Sequence, residues 1–363
     1  MKTKQKTELP DIFLKDTGKR ITSPTEWQNH RNELYKIVEI EYGGMPPTPP
    51  EIIVEELHTT HFEVCYPNTS FSSYKISIKN PSYFYFFMQL IIPKSDHPLP
   101  VVLTGDGCWQ FATEKVIQEI IKRGNIFAKF NRVEIVPDIY KTDRNSGLYT
   151  VYPDLSFGAL SAWAWGYHRC VDALLKLDFV DHSKIAIVGH SRGGKTTLLA
   201  GATDERIALV CANNSGCGGA GSYYYQGPKS ETMADSKRAI SYWYGPKLWD
   251  FIGKEHTLPF DQHFLKALVA PRSLLTTEGL ADLWANPKGT YQTYLAAKEV
   301  YRFLGCEDRI AIWYRKGGHN HGIDDWKAFL DFMDWQFHGK KVKTKFNVNP
   351  FPNMKPAFSW RAP

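Results

Sequence analysis

A glycine-flanked serine lies in the segment KIAIVGHSRGGK (184–195), where its neighbours suit nucleophilic chemistry. Gly189, Ser191 and Gly193 form a G-x-S-x-G pattern between an apolar run that predicts a strand and a segment, 192–202, that predicts a helix. Such a strand-turn-helix junction lifts the serine hydroxyl above the edge of a sheet, and the helix N-terminus directs free N–H groups at the reacting oxygen. The pattern therefore predicts that Ser191 is a nucleophile for acyl transfer.

The same segment also fits a phosphate-binding loop. Residues 189–196 match G-x-x-x-x-G-K-T, in which the lysine and the hydroxyl contact a nucleotide and its Mg²⁺. Such a loop usually follows the first strand of its domain, whereas several predicted strands precede this one, and no apolar strand ends in an aspartate suited to hold Mg²⁺. We therefore favour the nucleophile and keep a P-loop nucleotide-binding protein as the alternative from another functional class.

A serine nucleophile needs a base, and the predicted base is His319. It lies in the glycine-rich loop RKGGHNH (315–321), after the strand predicted at 309–314. The order serine, acid, histidine places the base after the last strand of the sheet. His321 is the local alternative, and His263 is expected to form a structural hydrogen bond.

The predicted acid of the triad is Asp282. A strand predicted at 273–277 leads into EGLADLW (278–284), and the acid normally follows this penultimate strand. A carboxylate at that place orients the imidazole and stabilises the imidazolium that forms during the reaction. Glu278 is the near alternative and Asp261 a distant one.

The elements that must position these side chains alternate along the second half of the chain. Helices are predicted at 160–177, 192–202, 264–269, 290–304 and 325–337, and strands at 184–188, 208–212, 273–277 and 309–314. This alternation is typical of an α/β fold with a mostly parallel sheet covered on both faces. The first half adds a helix at 27–40, a proline-rich arm at 43–50, a β-rich region at 52–93, and further elements at 100–103, 113–121 and 126–130.

Length alone allows about two domains at roughly 150 residues each. The triad candidates span much of the chain and must meet at one site, so residues 1–363 are expected to form a single domain. Residues 1–50 would form an N-terminal helix and arm. The segment 214–262, rich in Gly, Ser and Tyr, interrupts the alternation and is expected to form a lid or a wall of the cleft.

The composition excludes a disordered protein and does not favour a nucleic-acid-binding one. With 43% hydrophobic and 23% charged residues the chain is typical of a packed protein, and 14% aromatic residues can both fill a core and line a cleft. The net charge of +6 is spread along the chain, and the lysines at 340–345 are expected to be a solvated segment, so nucleic acid is not an expected partner.

No apolar run approaches the ~18–20 residues of a membrane span, and the N-terminus has no apolar signal-peptide core. A cytosolic protein and one whose signal was removed both remain open. The six cysteines have no C-x-x-C spacing, so no metal cluster is expected. A local disulfide between Cys211 and Cys217 also remains open, and the triad needs no cofactor.

Short motifs along nearly the whole chain resemble those of the bacterial glucuronoyl esterases, carbohydrate esterase family 15. The motifs are GHSRGGK (189–195), NNSGCGGAG (213–221), LPFDQH (258–263), APR (270–272), DLWANP (282–287) and GGHNHGIDDW (317–326). The resemblance implies an α/β-hydrolase fold, which is a three-layer sandwich around a mostly parallel sheet. It also implies hydrolysis of esters of 4-O-methyl-glucuronic acid, such as those linking lignin to glucuronoxylan, and hence a polysaccharide or oligosaccharide partner and a secreted or periplasmic location.

The resemblance also implies roles for individual residues. Ser191 would be the nucleophile and His319 the base. Arg192 would stabilise the oxyanion, Lys195 would contact a uronate hydroxyl, and Trp284 would line the sugar site. Backbone N–H groups near Arg192 and the Gly107–Cys108 turn are expected to join the oxyanion site. The rings of Tyr223–Tyr225 and Trp243 are further candidates for sugar stacking, although packing is favoured for Trp243.

Three departures from the family pattern stand out. Fungal members have a catalytic glutamate in a Q-E-S-G context, whose first two positions are Asn213 and Asn214 here, and the absence of that acid favours Asp282, after the penultimate strand. Fungal members bridge a cysteine beside the serine to one beside the histidine, where this chain has His190 and Gly318. The segment SYYYQ (222–226) stands where bacterial relatives are expected to have an arginine. The leading hypothesis is thus a serine esterase on glucuronate esters, and the enzyme alternative is an acetyl or uronate methyl esterase acting on another polysaccharide.

Overall fold

The computed structural model describes residues 8–61, 66–109, 112–140 and 144–363. Within these ranges nine strands form one sheet, in the spatial order β1-β2-β3-β5-β4-β6-β7-β8-β9. The strands are β1 (Ile53–His61), β2 (Thr69–Ile78), β3 (Phe84–Pro93), β4 (Leu99–Thr104), β5 (Ile126–Phe130), β6 (Val180–His190), β7 (Leu209–Asn213), β8 (Ser273–Gly279) and β9 (Ile310–Arg315). Strands β1 to β3 pair antiparallel, β3 is antiparallel to β5, and the remaining pairs are parallel, so the predicted mostly parallel sheet is confirmed.

Helices cover both faces of this sheet. They are α1 (Pro24–Leu34), α2 (Lys36–Glu41), α3 (Glu114–Lys122), α4 (Leu148–Val151), α5 (Ala159–Leu174), α6 (Arg192–Thr203), α7 (Met233–Ile240), α8 (Gln262–Val269), α9 (Pro287–Phe303) and α10 (Ile323–His338). Apolar residues of α5, α6, α8 and α9 fill the larger core on one face. Those of α3 and α10 fill a second core on the other face. The predicted three layers are therefore present.

The parallel strands explain why distant parts of the chain meet. The carboxyl ends of β6, β7, β8 and β9 lie at the same edge of the sheet, because His190 pairs with Asn213 and Asn213 pairs with Thr277. Gly279 and Arg315 continue the same edge. The loops that follow β6, β8 and β9 therefore emerge side by side, which is where an α/β sheet usually places its ligands.

Several element bounds differ from the sequence prediction by a few residues, and two differences change the interpretation. The single helix expected at 27–40 is two helices that meet at Tyr35, an arrangement in which Leu34 and Ile37 are both buried. Strand β8 runs to Gly279, two residues beyond the predicted end. That extension places Glu278 inside the sheet rather than in the loop after it.

The N-terminal segment and the insertion pack against each other and against the helices. The Gly245 N–H donates to the Glu41 carbonyl oxygen at 2.8 Å, and the Tyr42 hydroxyl donates to the Gly218 carbonyl oxygen at 3.0 Å. The Trp165 indole N–H donates to the carbonyl oxygen of Pro47 in the arm at 2.9 Å. These contacts support, as a prediction, a single domain in which segment 214–262 is a wall of the cleft.

The described helices include none that is long and apolar enough to cross a membrane. Cys211 and Cys217 are both free and buried, so the local disulfide that the sequence left open does not form. His263 has the structural role expected of it, because its Nε2 lies 2.9 Å from the carbonyl oxygen of Pro10. In the part of the chain that is described, no group of three or more His, Cys, Asp or Glu side chains could hold a metal ion.

Candidate active site

The turn that carries Ser191 is sharp and strained. Ser191 has φ 56° and ψ −119°, a region that non-glycine residues rarely adopt and that costs on the order of 1–3 kcal/mol. Its two glycine neighbours are required sterically, since a Cβ on Gly193 would overlap the Asp106 carboxylate and one on Gly189 would overlap the Gly193 carbonyl. The Ser191 N–H donates to the Asn213 carbonyl oxygen at 2.9 Å, which ties the turn to β7.

The three residues predicted for the triad meet above the edge of the sheet. The Oγ of Ser191 lies 2.9 Å from Nε2 of His319, and Nδ1 of His319 lies 2.6 Å from Oδ2 of Asp282. His319 is 44% exposed while Asp282 is 4% exposed, so the base faces the solvent and the acid lies beneath it. These distances permit proton transfer from the hydroxyl to the imidazole.

Asp282 is held in its charged form. Burial alone would raise its pKa, but the hydrogen bonds from His319 and Asn214 outweigh this effect and hold the pKa below its ordinary value. The Asn214 amide donates to Oδ2 at 2.6 Å. Sequence reasoning noted Asn214 only as the place of a missing acid, yet its position directly after β7 could have suggested a partner for the carboxylate.

The alternative acids occupy structural positions. Glu278 is fully buried within β8, where its carboxyl accepts a hydrogen bond from the Thr290 hydroxyl at 3.1 Å. Burial raises the pKa of Glu278 well above its usual range, and the nearby charge of Asp282 acts in the same direction. Asp261 caps α8 and accepts hydrogen bonds from the N–H groups of Tyr223 and Gln262.

The alternative base is also placed differently from His319. His321 is 5% exposed, and its ring stacks on Trp326 with centroids 4.7 Å apart and on the ring of His190 at 5.7 Å. Burial lowers the pKa of His321 well below its usual value. A buried imidazole stacked in this way packs between His190 and Trp326.

Arg192 begins helix α6 beside the serine and is bound by a carboxylate that sequence reasoning missed. Its Nη1 donates to Oδ2 of Asp138 at 2.7 Å. The guanidinium carbon lies 4.7 Å from the ring centroid of Trp243 and 5.2 Å from that of Trp109. Asp138 also accepts hydrogen bonds from Tyr242 and Trp243, and it lies in an irregular segment that offered no sequence signal. Arg192 is therefore fixed next to Ser191, and its guanidinium carries N–H groups besides the one that binds Asp138.

Lys195 and Trp284, the two residues expected at the sugar, differ in accessibility. Lys195 is buried, and its ammonium donates to the Cys217 carbonyl oxygen and lies 3.3 Å from the carboxylate of Glu231. An ammonium held this way does not favour the P-loop alternative, in which it would contact phosphates. The ring of Trp284 is 52% exposed, as a stacking surface requires.

Two of the remaining aromatic candidates, Trp243 and Tyr223, are packing residues. Trp243 is 4% exposed and lies under the Arg192 guanidinium, in agreement with the packing role favoured for it. Tyr223 is buried, and its hydroxyl donates to the Glu41 carboxylate at 2.9 Å. The half-buried Tyr224 donates from its hydroxyl to the Leu258 carbonyl oxygen at 2.6 Å.

Two backbone amides that are candidates for the oxyanion site lie in turns next to Ser191. The first N–H groups of α6, starting at Arg192, have no acceptor within the helix. In the turn after β4, the Gly107 N–H donates to the Phe130 carbonyl oxygen at 3.2 Å, which leaves Cys108 as the candidate donor of the predicted pair. Asp106 fixes this turn, because its carboxylate accepts hydrogen bonds from the His190 N–H at 2.8 Å and from Arg132.

Comparison with known proteins identifies relatives of this chain. Residues 76–305 match the family model described as glucuronyl esterase, fungi. The chain is 32% identical over 259 residues to the carbohydrate esterase MZ0003 of an unknown prokaryotic organism, which covers 64% of this chain and 57% of the relative. It is 28% identical over 326 residues to 4-O-methyl-glucuronoyl methylesterase 1 of Wolfiporia cocos, which covers 86% of this chain and 76% of the relative.

A solved structure is similar over almost the full chain. It is a glucuronoyl esterase of carbohydrate esterase family 15 from Caldicellulosiruptor kristjansonii, with a TM-score of 0.84 and 29% identity. The similarity covers 98% of this chain and 97% of that one. The fold is therefore the α/β-hydrolase fold that the resemblance implied.

Proposed function

The chain belongs to the glucuronoyl esterase family, and on this premise we propose that it hydrolyses esters of glucuronic acid or 4-O-methyl-glucuronic acid through a serine triad. The observation that carries the proposal is the pair of short contacts that joins Ser191 to His319 and His319 to Asp282. The curated relatives carry the names of carboxylic-ester hydrolases, and this chain has the geometry that such a reaction needs.

The proposed first half-reaction forms an acyl-enzyme. His319 Nε2 takes the proton of the Ser191 hydroxyl as Oγ attacks the ester carbonyl, while Asp282 stabilises the imidazolium through its bond to Nδ1. The tetrahedral oxyanion receives hydrogen bonds from the Arg192 guanidinium and from the backbone N–H groups of Arg192 and Cys108. The carbonyl then re-forms, and the alcohol leaves with the proton that His319 returns to its oxygen.

The second half-reaction reverses these roles with water. His319 removes a proton from a water molecule, which attacks the acyl carbonyl at the same face, and the same donors stabilise the second oxyanion. Collapse of this intermediate breaks the bond to Ser191 Oγ, which recovers its proton from His319. The products are the free uronic acid and the starting enzyme, so the cycle needs no redox partner.

We assign the sugar side of the cleft to Trp284. Its exposed ring offers an apolar face of the kind that amphipathic ligands stack on. Lys195 lies buried one helical turn after the nucleophile, and its proposed contact with a uronate hydroxyl would require the ammonium to leave Glu231 or to share it. A polysaccharide substrate implies a secreted or periplasmic enzyme, which is part of this proposal.

The Arg192→Ala variant is expected to lower kcat by roughly 10²–10³ with a small change in KM, because the guanidinium acts on charge that develops only in the transition state. Steady-state kinetics on benzyl glucuronate measure this effect. Arg238→Ala is a matched control, because Arg238 is a 76% exposed arginine on α7 and its loss should leave kcat unchanged. A normal kcat for Arg192→Ala would assign oxyanion stabilisation to the backbone alone.

A substrate panel tests the proposed acyl group. We expect kcat/KM for methyl and benzyl glucuronate to exceed that for acetylated xylan and methyl galacturonate by at least about 10-fold, since a site that hydrogen-bonds a specific substituent rejects analogues lacking it. Ser191→Ala serves as the blank for background hydrolysis. Preference for acetylated xylan or methyl galacturonate would replace the proposal with the acetyl or uronate methyl esterase alternative.

A further inference from the structure

A chain of buried hydrogen bonds runs from β9 to the residue that precedes the nucleophile. The Arg315 Nε donates to Oδ2 of Asp325 at 2.8 Å, and the Asn213 amide donates to Oδ1 of Asp325 at 3.0 Å. Oδ1 of Asn213 then lies 2.5 Å from Nδ1 of His190. Asn213 and Asp325 are fully buried and His190 is 4% exposed, so the chain is shielded from water.

The direction of these hydrogen bonds fixes the tautomer of His190. The Asn213 amide nitrogen also donates to the Thr277 hydroxyl at 2.8 Å, so this nitrogen is directed at two acceptors. Oδ1 of Asn213 is an acceptor only, and its partner on His190 must therefore be a protonated Nδ1. The carboxylate of Asp325, fixed by Arg315, thus orients His190 through one intervening amide.

The His190 ring lies against the ring of the base. Its centroid is 4.5 Å from that of His319, with the two planes tilted by 45°. On another side His190 stacks on His321 with an interplanar angle of 22°, and His321 stacks on Trp326 with an angle of 15°. His319 is thus supported by a layer of three rings that ends on helix α10.

The supporting ring is uncharged at neutral pH. Burial lowers the pKa of His190 to about 4, although the hydrogen bond to Asn213 and the charge of Asp282 act in the opposite direction. His319 and Arg315 face the same ring and add to the lowering. A neutral His190 supports His319 without competing with it for Asp282 or repelling its imidazolium.

The same arginine also fixes the loop that carries the base. Arg315 donates to the carbonyl oxygen of Asn320, the residue directly after His319. The Ala281 N–H donates to the Gly317 carbonyl oxygen at 2.9 Å, which joins the base loop to the loop of the acid. Arg315 therefore restrains His319 both through the backbone and through the buried chain.

We propose that His190 is a positioning residue for His319, anchored to Arg315 through Asn213 and Asp325. The inference rests on the proposed function, because it assigns His319 as the base of that reaction. His190 holds the imidazole on the line between Ser191 and Asp282, and misplacement by about 1 Å can cost as much as roughly 100-fold in rate.

The test uses His190→Phe, which keeps a ring of similar size but cannot donate to Asn213. We expect kcat on benzyl glucuronate to fall about 10- to 100-fold with KM within about 2-fold, since geometry at the base affects the transition state rather than substrate binding. The downfield proton resonance of Nδ1–H of His319, hydrogen-bonded to Asp282, should shift or broaden in the same variant. Arg315 lies at the outer end of the series of hydrogen bonds, and its side chain is 12% exposed. If His190→Phe does not fold, Arg315→Gln should show the same changes.

His168→Phe is the matched control. His168 is a buried histidine on α5 whose pKa burial lowers to about 4, and it bonds to the Ala200 carbonyl oxygen at 3.2 Å. This variant should keep both kcat and the downfield resonance even where its Tm falls. Folded His190→Phe and Arg315→Gln variants with wild-type kcat and an unchanged resonance would overturn the inference.

The resonance also separates this inference from the proposed function. If the wild type does not hydrolyse glucuronate esters and the resonance still responds to His190→Phe, the proposed function fails while the positioning role stands. If the wild type hydrolyses them and neither variant changes kcat or the resonance, only the positioning role fails.

Discussion

Replacing Ser191 with alanine is expected to lower kcat for benzyl glucuronate by a factor on the order of 10⁴–10⁶, because the loss of a serine nucleophile removes the covalent route entirely. The variant should remain folded, since alanine adopts φ 56° with the same strain as serine and the Ser191 N–H still bonds to Asn213. Steady-state release of benzyl alcohol together with thermal unfolding measures both effects.

Ser183→Ala provides the matched control for this substitution. Ser183 lies near the opposite end of the same strand, where its hydroxyl donates to Asp181 at 2.6 Å, so its loss should leave kcat unchanged. A Ser191→Ala variant that keeps more than about 1% of the wild-type kcat, well above the loss expected for a nucleophile, would place the covalent step elsewhere.

Asp282→Asn is expected to lower kcat by roughly 10³–10⁴ with little change in KM. An amide at this position can present a donor to Nδ1 of His319, which favours the tautomer that cannot accept the Ser191 proton. The side chain would also meet the Asn214 amide, which now donates to Oδ2 at 2.6 Å, so the variant loses charge and orientation together.

Glu278→Gln is the control for the identity of the acid. Glu278 is buried within β8, where its carboxyl accepts a hydrogen bond from Thr290 and burial raises its pKa, so an amide of the same shape should leave kcat within about 2-fold. Steady-state kinetics of Asp282→Asn and Glu278→Gln on benzyl glucuronate compare the two values of kcat. A harmless Asp282→Asn combined with an inactive Glu278→Gln would reverse the assignment of the acid.

Most of the elements and the meeting of Ser191, Asp282 and His319 were predictable from the sequence because each depends on a local pattern. Apolar runs followed by glycine-rich turns predict strand ends, and the carboxyl ends of parallel strands meet at one edge. Ser191, Asp282 and His319 each follow such a run, and the structure brings them within hydrogen-bonding distance. The motif alone did not separate a nucleophile from a phosphate-binding loop. The strands that precede it, together with the acid and the histidine that follow later strands, favoured the nucleophile.

The partners of these residues were not predictable from the sequence. Asn214 reaches Asp282 across 68 positions, and Asp138 reaches Arg192 across 54. Contacts of this range depend on how loops from different strands fold over the sheet edge, which no periodicity encodes. The hydrogen-bond chain from Arg315 to His190 is of the same kind, since it joins residues of four elements, β9, α10, β7 and β6.

The solvent accessibility of individual side chains also could not be predicted from the sequence. Glu278 lies inside the sheet because β8 continues past Thr277, and Glu278 and Gly279 pair with Tyr314 and Arg315 of β9. Lys195 is buried because Glu231, from the insertion, neutralises it. The sequence showed the insertion but not which cation it would cover.

Rapid-quench mass spectrometry during turnover of benzyl glucuronate tests the central claim most directly, because it detects the covalent intermediate itself. The proposed mechanism predicts a glucuronoyl adduct on the peptide that carries Ser191, formed as benzyl alcohol is released and absent from the Ser191→Ala variant. A glucuronoyl adduct on another residue, or release of benzyl alcohol at the wild-type rate by Ser191→Ala, would contradict it.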